Sequence, residues 1–343
     1  MTATSVTTAA AAAASASVAA TSPPATSITI SPYLFESDKI VLEKLIADMA
    51  APSADAATIA KLAALNDPAS ADFECSVFAT WDVRDLKRML PAAVFDHVLV
   101  PYMRWGTTVV RRPTDVIFVT HLLLYLATLV PSAALLYARF SWTHGIAHFL
   151  WAALNMGPFT LMLHNHIHNG GVLARAWRAV DFALPYLLEP LLGHTWDSYF
   201  YHHVKHHHAE GNGPDDLSST IRYQRDELTH FLMYLGRFVF GAWIELPLYF
   251  VRKKRYGLAV RSLVSELTCY GFIAAMARWR WRASLFVLVL PLVTMRIAMM
   301  LGNWGQHAFV DDEEPMSSLR SSITLIDVPV GRSVCKAGGR ALT

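Results

Sequence analysis

Four apolar runs, each about twenty residues long, constrain the fold of this chain more than any other feature. They occupy residues 116–140, 145–163, 258–277 and 283–301. A helix needs about 20 apolar residues to cross the hydrocarbon core of a bilayer, so each run predicts one membrane-spanning helix. Hydrophobic residues form 54% of the 343-residue chain and charged residues only 16%, which is too apolar for a soluble domain of this size. The sequence therefore predicts an all-α polytopic membrane protein with about four spans.

Two other apolar runs are predicted not to cross the membrane. Residues 230–251 contain Arg237 and Glu245 and end in a basic RKKR segment, which favours a helix lying in the membrane interface. Residues 180–193 are too short to span. The four spans then form two hairpins whose outer ends share one side, and the RKKR segment marks that side as cytoplasmic. We therefore expect a histidine-rich cap on the cytoplasmic side.

The RWRWR segment between the third and fourth runs opposes this topology. It places Arg278, Arg280 and Arg282 on the far side, although positive residues are commoner in cytoplasmic loops. The alternation of arginine with tryptophan suits an aromatic belt at the membrane surface. If residues 230–251 crossed instead, three crossings would follow the first hairpin and His307 would lie opposite the other histidines.

Composition along the chain predicts four regions. Residues 1–30 are rich in Ala, Ser and Thr and predict a disordered tail, with a plastid or mitochondrial transit peptide as the alternative. Residues 31–112 predict a helical and interfacial region, residues 113–312 the membrane domain, and residues 313–343 an irregular tail. The net charge of +2 argues against a nucleic-acid binder, and three cysteines without a CxxC pair argue against a disulfide framework or zinc ribbon.

The histidines are concentrated in two short segments. LHNHIHNGG, residues 163–171, ends the second apolar run, and HHVKHH occupies residues 202–207. Neutral imidazole is a good ligand for iron, copper, zinc and nickel. Residues three or four apart share a helix face, so His164 and His168 form a pair, whereas His166 points elsewhere and is predicted to be structural. Two groupings stay open in the second segment, His203 with His206 and His207, or His202 with His206 and His207.

Acidic residues directly follow the second histidine segment. In EGNGPDD, Glu210, Asp215 and Asp216 are candidates to orient and polarise ligating imidazoles. The same stretch also predicts a turn with a helix cap, and the two roles are compatible. Neither histidine segment has the cysteines of a structural zinc site or the HExxH pattern of a zinc protease.

The order of HNHIH and then HHVKHH resembles the integral-membrane fatty acid desaturase and hydroxylase superfamily, over about residues 115–312. The resemblance implies two non-haem irons held on the cytoplasmic face by three histidine boxes, O2 as oxidant, and an acyl lipid as substrate. It also implies an external electron donor, cytochrome b5 or a ferredoxin, because no HPGG haem-binding stretch occurs in the chain. In NWGQH, it implies that His307 ligates iron and that Asn303 reaches the metal through water. The implied metal ligands are His164, His168, His202, His203, His206, His207 and His307.

The third histidine box of the superfamily is missing from its expected place. No histidine follows His307, and the residues after Leu319 read as an aberrant ending. The remaining imidazoles are few for two irons that must also bind O2. The sequence therefore predicts that one metal is held well and the other poorly, and that this chain has weak or no activity.

The leading functional prediction is an O2-dependent acyl-lipid desaturase in the endoplasmic reticulum membrane, with a plastid membrane as the alternative. A lipid hydroxylase of the same superfamily competes with it, because both reactions begin by abstracting hydrogen from an unactivated C–H bond. A non-catalytic membrane metal-binding or transport protein is a further alternative, although the intramembrane charges are scattered rather than aligned along a path. The expected partners are the acyl lipid, the electron donor and membrane lipids, with no nucleic acid.

Overall fold

The structure is a computed structural model that describes residues 30–31, 34–73, 75–79, 81, 83–309, 311 and 313–314. This part of the chain is helical and has no strand beyond isolated bridges, which confirms the all-α prediction. Almost all of the two predicted tails lies outside the described residues. The α-helices are α1 (Glu36–Ala50), α2 (Ala56–Asn66), α3 (Val83–Met89), α4 (Ala92–Val94), α5 (Val100–Val109), α6 (Val116–Ala127), α7 (Leu129–Ala138), α8 (Trp142–Asn169), α9 (Arg178–Leu191), α10 (His208–Glu210), α11 (Leu228–Arg252), α12 (Tyr256–Ser284) and α13 (Leu290–Gln306).

Four helical stretches of the described chain are long and apolar enough to cross a membrane. They are Val116–Ala138, Trp142–Asn169, Leu228–Arg252 and Tyr256–Gln306. The last stretch contains both α12 and α13, which the π-helical turn Leu285–Val289 joins without a break. The backbone at Arg280, within α12, has φ −145° and ψ 75° and kinks the chain. The chain is therefore a polytopic membrane protein, as the sequence predicts.

The connecting loops of the two hairpins meet at one end of the helical bundle. Tyr137, at the end of α7, stacks on Trp279 of α12 with ring centroids 5.6 Å apart. Trp142, the first residue of α8, contacts Trp281 at a centroid distance of 6.5 Å. We call this the far end. The opposite end, where α8 ends at Asn169, we call the histidine end.

Contacts near both ends of α11 place this helix along the histidine end. Near its start, Tyr234 accepts a hydrogen bond from the amide of Asn303 at 2.7 Å. Just past its end, Lys253 forms an ion pair with Glu210 at 3.0 Å. Both partners belong to the histidine end, so α11 returns to the side on which it begins. This agrees with the interfacial prediction, although α11 has the length and composition of a span. Under that prediction, α6–α7, α8, α12 and α13 are the four crossings.

Local sequence sets both ends of α8, the helix that carries the first histidine segment. Ser141 caps its start by accepting a hydrogen bond from the backbone N–H of His144. Gly170 ends it in the left-handed conformation at φ 64°, which glycine adopts without strain. A helix of 28 residues is about 42 Å long, longer than the hydrocarbon core of about 30 Å. Its last turns therefore extend beyond the hydrocarbon into the histidine end.

The region before the first span packs against that span at the histidine end. Buried Val77, Leu86 and Phe95 share one hydrophobic core with Phe118 and Leu122 of α6. Burial of these side chains ties the N-terminal helices to the membrane domain. The division of the chain into four regions stays a prediction.

Candidate metal centre

Four histidines from two segments converge at the histidine end, and we call them the first cluster. His164 and His168 lie one turn apart in α8, while His203 and His208 come from the second segment. One ligand nitrogen from each of the four lies within 4.8 Å of the others. The ring centroids of His164 and His203 are 4.6 Å apart, and those of His203 and His208 are 4.4 Å apart. Four imidazoles at this spacing can surround one transition-metal ion.

A π-helical turn explains why His208 joins this cluster. Phe200–His207 forms a π-helix, in which hydrogen bonds connect residues five apart. His203 and His208 therefore lie on one side, whereas an α-helix would place them about 140° apart around its axis. Spacing rules for an α-helix do not predict His208 as a ligand. In the sequence, only the run of three consecutive histidines that begins at His206 indicates that His208 could be a ligand.

His202, His206 and Asp216 form a second cluster, whose ligand atoms also lie within 4.8 Å of one another. His207 lies between the two clusters, with its ring centroid 5.6 Å from that of His203 and 6.4 Å from that of His202. The second histidine segment is thus divided between the clusters. His203 faces the histidines of α8, and His202 faces Asp216, so neither of the two groupings left open by the sequence is complete.

His307 and Asn303 reach this region from the end of α13. His307 is buried, and its ring centroid lies 6.1 Å from that of His207. The amide of Asn303 donates to the backbone oxygen of Ser218 at 2.8 Å, which anchors the loop after the second histidine segment. The predicted roles of His307 as an iron ligand and of Asn303 as a water-mediated partner stay predictions.

Asp215 and Asp216 are adjacent in sequence and have opposite environments. The Asp215 side chain is 62% exposed and forms an ion pair with Lys253 at 2.9 Å. This contact holds the Asp215 side chain at the surface. The geometry therefore gives no support to the prediction that Asp215 orients the metal-ligating imidazoles. Asp216 is fully buried and accepts a hydrogen bond from His207 Nδ1 at 2.6 Å.

The Asp216 carboxylate joins the histidines to the loop that follows them. It accepts hydrogen bonds from the backbone N–H groups of Asn212 at 3.1 Å and Ser218 at 2.8 Å. Burial by itself would raise the pKa of Asp216, but its contacts with His206 and His207 outweigh burial and hold this pKa well below its usual range. A carboxylate bonded to Nδ1 of a histidine orients the ring and leaves Nε2 for a metal. The predicted orienting role therefore fits the contacts of Asp216.

The buried histidines are suited to bind a metal rather than protons. Burial, followed by repulsion from neighbouring imidazoles, lowers the pKa of His202 to about 3 and of His203 to about 2. A neutral imidazole has the lone pair that a metal requires. Within the described chain, His202 Nε2 and His206 Nδ1 are buried without a hydrogen-bond partner, which is unfavourable. A bound cation would satisfy His202 Nε2, and a set of imidazole nitrogens with one carboxylate fits iron.

Asp181 organises the loop after the first histidine segment. His166 Nε2 donates to the backbone oxygen of Asp181 at 3.0 Å, in keeping with the structural role predicted for this histidine. The backbone N–H of Val172 donates to the Asp181 carboxylate at 3.2 Å. Gly171 passes so close, at φ 121°, that a Cβ on it would overlap this carboxylate. A glycine is therefore required where the chain leaves α8.

We expect Gly171→Ala to lower the free energy of unfolding by about 3 kcal/mol, from backbone strain and overlap together. The matched control is Gly170→Ala, which has a φ of 64° but no side-chain atom closer than 3.8 Å to the added Cβ. The control is expected to cost about 1 kcal/mol. Denaturant unfolding in mixed micelles measures both, and equal losses would show that the contact with Asp181 is unimportant.

A family model described as fatty acid desaturase matches residues 141–332, more than half of the chain. The chain belongs to the fatty acid desaturase family. Both clusters of this desaturase-family protein lie inside the matched residues. Searches of curated proteins and of solved structures found no match.

The two clusters of this desaturase-family protein are unequal as metal sites. The first offers four imidazoles. In the second, His206 Nε2 already accepts a hydrogen bond from the backbone N–H of Leu217 at 2.8 Å, and Asp216 is engaged by the loop. A metal at the second cluster must displace or share these contacts, so it binds there at a cost that the first cluster does not have.

We expect dialysis of the iron-loaded protein against a chelator to remove one metal early and to retain the other. The retained ion belongs to the first cluster, because four nitrogen ligands hold it. Elemental analysis during dialysis gives the number of ions per chain at each time. Two ions lost in parallel would contradict the inequality of the clusters.

Proposed function

We propose that this protein is an O2-dependent acyl-lipid desaturase, which introduces a double bond into an acyl chain with a non-haem di-iron centre at the histidine end. The observation that carries this proposal is a mostly apolar cavity directly beside the histidine clusters. Membership of the desaturase family supports an oxidoreductase that acts on a fatty acyl group.

The cavity lies between α11, α12, α13 and the segment that leads into the π-helix. Phe238, Leu246 and Met299 supply apolar walls, and His202 of the second cluster forms part of the lining. Ligand pockets commonly have mostly apolar walls with a few polar groups, so the lining suits an acyl chain. Because His202 belongs to both the lining and the cluster, a methylene group held here lies next to candidate metal ligands.

The residues of the chain would bind and orient the substrate. Iron, when bound, would supply the oxidising chemistry that removes hydrogen from an unactivated C–H bond. The apolar walls hold the acyl chain and exclude water from it. Asp216 keeps the ring of His207 in place through Nδ1, and the ring of Tyr249 packs edge-on against His206 with centroids 4.2 Å apart. These contacts hold the imidazoles in position before a metal binds.

The electron donor and the compartment are part of the same proposal. The RKKR segment after α11 lies at the histidine end, which supports a cytoplasmic orientation of this end. We therefore place the protein in the endoplasmic reticulum membrane, with cytochrome b5 as donor. A plastid membrane with a ferredoxin is the alternative.

Lipid analysis after expression in a host without this activity tests the proposed reaction. The expected result is an acyl species two mass units lighter, in low yield because the second cluster holds its metal weakly, and none from His164→Ala. A hydroxylated acyl chain would assign the hydroxylase reaction instead. No altered lipid from protein that carries two irons per chain would refute the oxygenase proposal, and metal uptake by vesicles in that case would favour a transporter.

A further inference from the structure

The far end of the molecule carries an unbalanced positive charge. Arg139 follows α7, and Arg278, Arg280 and Arg282 lie where α12 turns towards α13. All four side chains are exposed. The stretches 116–180 and 267–309, which include this end, contain no aspartate or glutamate. Across the residues that the structure describes, none of these arginines forms an ion pair.

Aromatic rings frame a cavity among these arginines, which we call the far-end cavity. It lies between the end of α7 and the end of α12. Arg280 and Arg282 both line it, together with Tyr137, Trp279 and Trp281. The backbone at Arg280 is not helical, so the regular part of α12 ends just before Arg280 and Arg282. Two guanidinium groups and three aromatic rings therefore line one concave surface.

The tryptophans hold the guanidinium of Arg282 at the rim of the cavity. Its central carbon lies 5.4 Å from the centre of the Trp281 ring and 5.9 Å from that of Trp142. Cation–π contacts of this kind orient a guanidinium without neutralising its charge. The cavity therefore keeps its positive charge for an external anion.

We propose that the far-end cavity binds the phosphate of an anionic phospholipid, a lipid distinct from the acyl substrate and bound at the opposite end of the molecule. Guanidinium groups recognise phosphate oxygens through paired hydrogen bonds. Tryptophan and tyrosine favour the headgroup level of a membrane, where such a phosphate lies. Leu135 precedes the lining residue Leu136 in α7, and Ile146 lies in the second turn of α8. They are 54% and 50% exposed, and they offer an apolar flank for the acyl chains.

This occupant also accounts for the arginines that oppose the topology. Positive residues are depleted on the non-cytoplasmic side, yet contacts place RWRWR at the end opposite the histidines. A bound anionic headgroup would balance the charge that the protein itself leaves uncompensated. A free phosphate ion would do so too, but it would leave the exposed rings of Trp279 and Trp281 uncovered.

Titration of the full-length protein in detergent with short-chain phosphatidylserine tests the proposal. Native mass spectrometry or thermophoresis gives the dissociation constant. Arg280→Gln/Arg282→Gln is expected to raise it about tenfold or more, because each basic residue contributes to binding an anionic headgroup. The matched control is Lys61→Gln/Arg88→Gln, which removes two exposed positive charges from α2 and α3. The control is expected to bind as the unaltered protein does.

Three further measurements distinguish binding of an anionic phospholipid from a folding defect, from binding of any lipid and from binding of free phosphate. Arg280→Lys/Arg282→Lys keeps the charges and is expected to retain most of the affinity, which separates binding from a folding defect. Phosphatidylcholine, whose headgroup has no net charge, is expected to bind about tenfold more weakly than phosphatidylserine, whose headgroup has a net negative charge. Equal binding of the two lipids, or competition by millimolar inorganic phosphate as strong as by the lipid, would overturn the proposal. Unchanged binding by the double glutamine variant would overturn it as well.

Discussion

Replacing His203 by alanine is expected to remove the metal of the first cluster. His203 is the member that connects the histidines of α8 to His208, with ring centroids 4.6 Å from His164 and 4.4 Å from His208. Loss of an outer partner of a metal ligand costs about 10–100-fold in metal affinity, and loss of the ligand itself costs more. We therefore expect metal content at this cluster to fall to background, with loss of any altered lipid. Elemental analysis of the purified variant measures the first effect.

The matched control for this variant is His97→Ala. His97 is exposed and lies outside both clusters, so its removal takes away one imidazole without touching the metal centre. Metal content equal to that of the unaltered protein is expected for the control. Retention of a full complement of iron by His203→Ala would mean that the first cluster is not a metal site.

Replacing Asp216 by alanine is expected to lower the free energy of unfolding of the metal-free protein by about 3–5 kcal/mol. The change removes a fully buried carboxylate and leaves His207 and two backbone N–H groups without their acceptor. Buried donors without a partner are unfavourable. Unfolding in mixed micelles, with the metal removed, isolates this loss from any effect on metal binding.

Asp215→Ala provides a control at the adjacent position. Its exposed ion pair with Lys253 is expected to contribute little to the free energy of unfolding, because solvent screens it. A large loss from Asp216→Ala and a small one from Asp215→Ala would support the division of roles that the structure indicates. Similar losses from the two variants would count against it.

The all-α polytopic class could be predicted from the sequence, because hydropathy acts over a local window. A run of about 20 apolar residues satisfies its own backbone hydrogen bonds and crosses wherever it lies in the fold. Whether α11 crosses the membrane was harder to predict, because its length and composition match those of a span. Its internal charges favoured the interface, and the contacts of Tyr234 and Lys253 with the histidine end agree with that preference.

Only part of the candidate site could be predicted from the sequence. Spacing paired His164 with His168, because residues four apart share a face of an α-helix. The same rule failed for the second segment, where a π-helix brings residues five apart together. Residue spacing also could not predict that Asp216 is buried and Asp215 exposed, because burial depends on the neighbours that the folded chain brings to each residue.

The sequence by itself determined the class of this protein: the apolar runs require helices in a membrane, and the two histidine segments at their boundary indicate a metal site. Tertiary structure alone decided which imidazoles share an ion. That choice depends on the pitch of one short helix and on contacts between segments far apart in the chain. Neither is encoded in the spacing of residues within a single segment, because each arises only when the segments pack together.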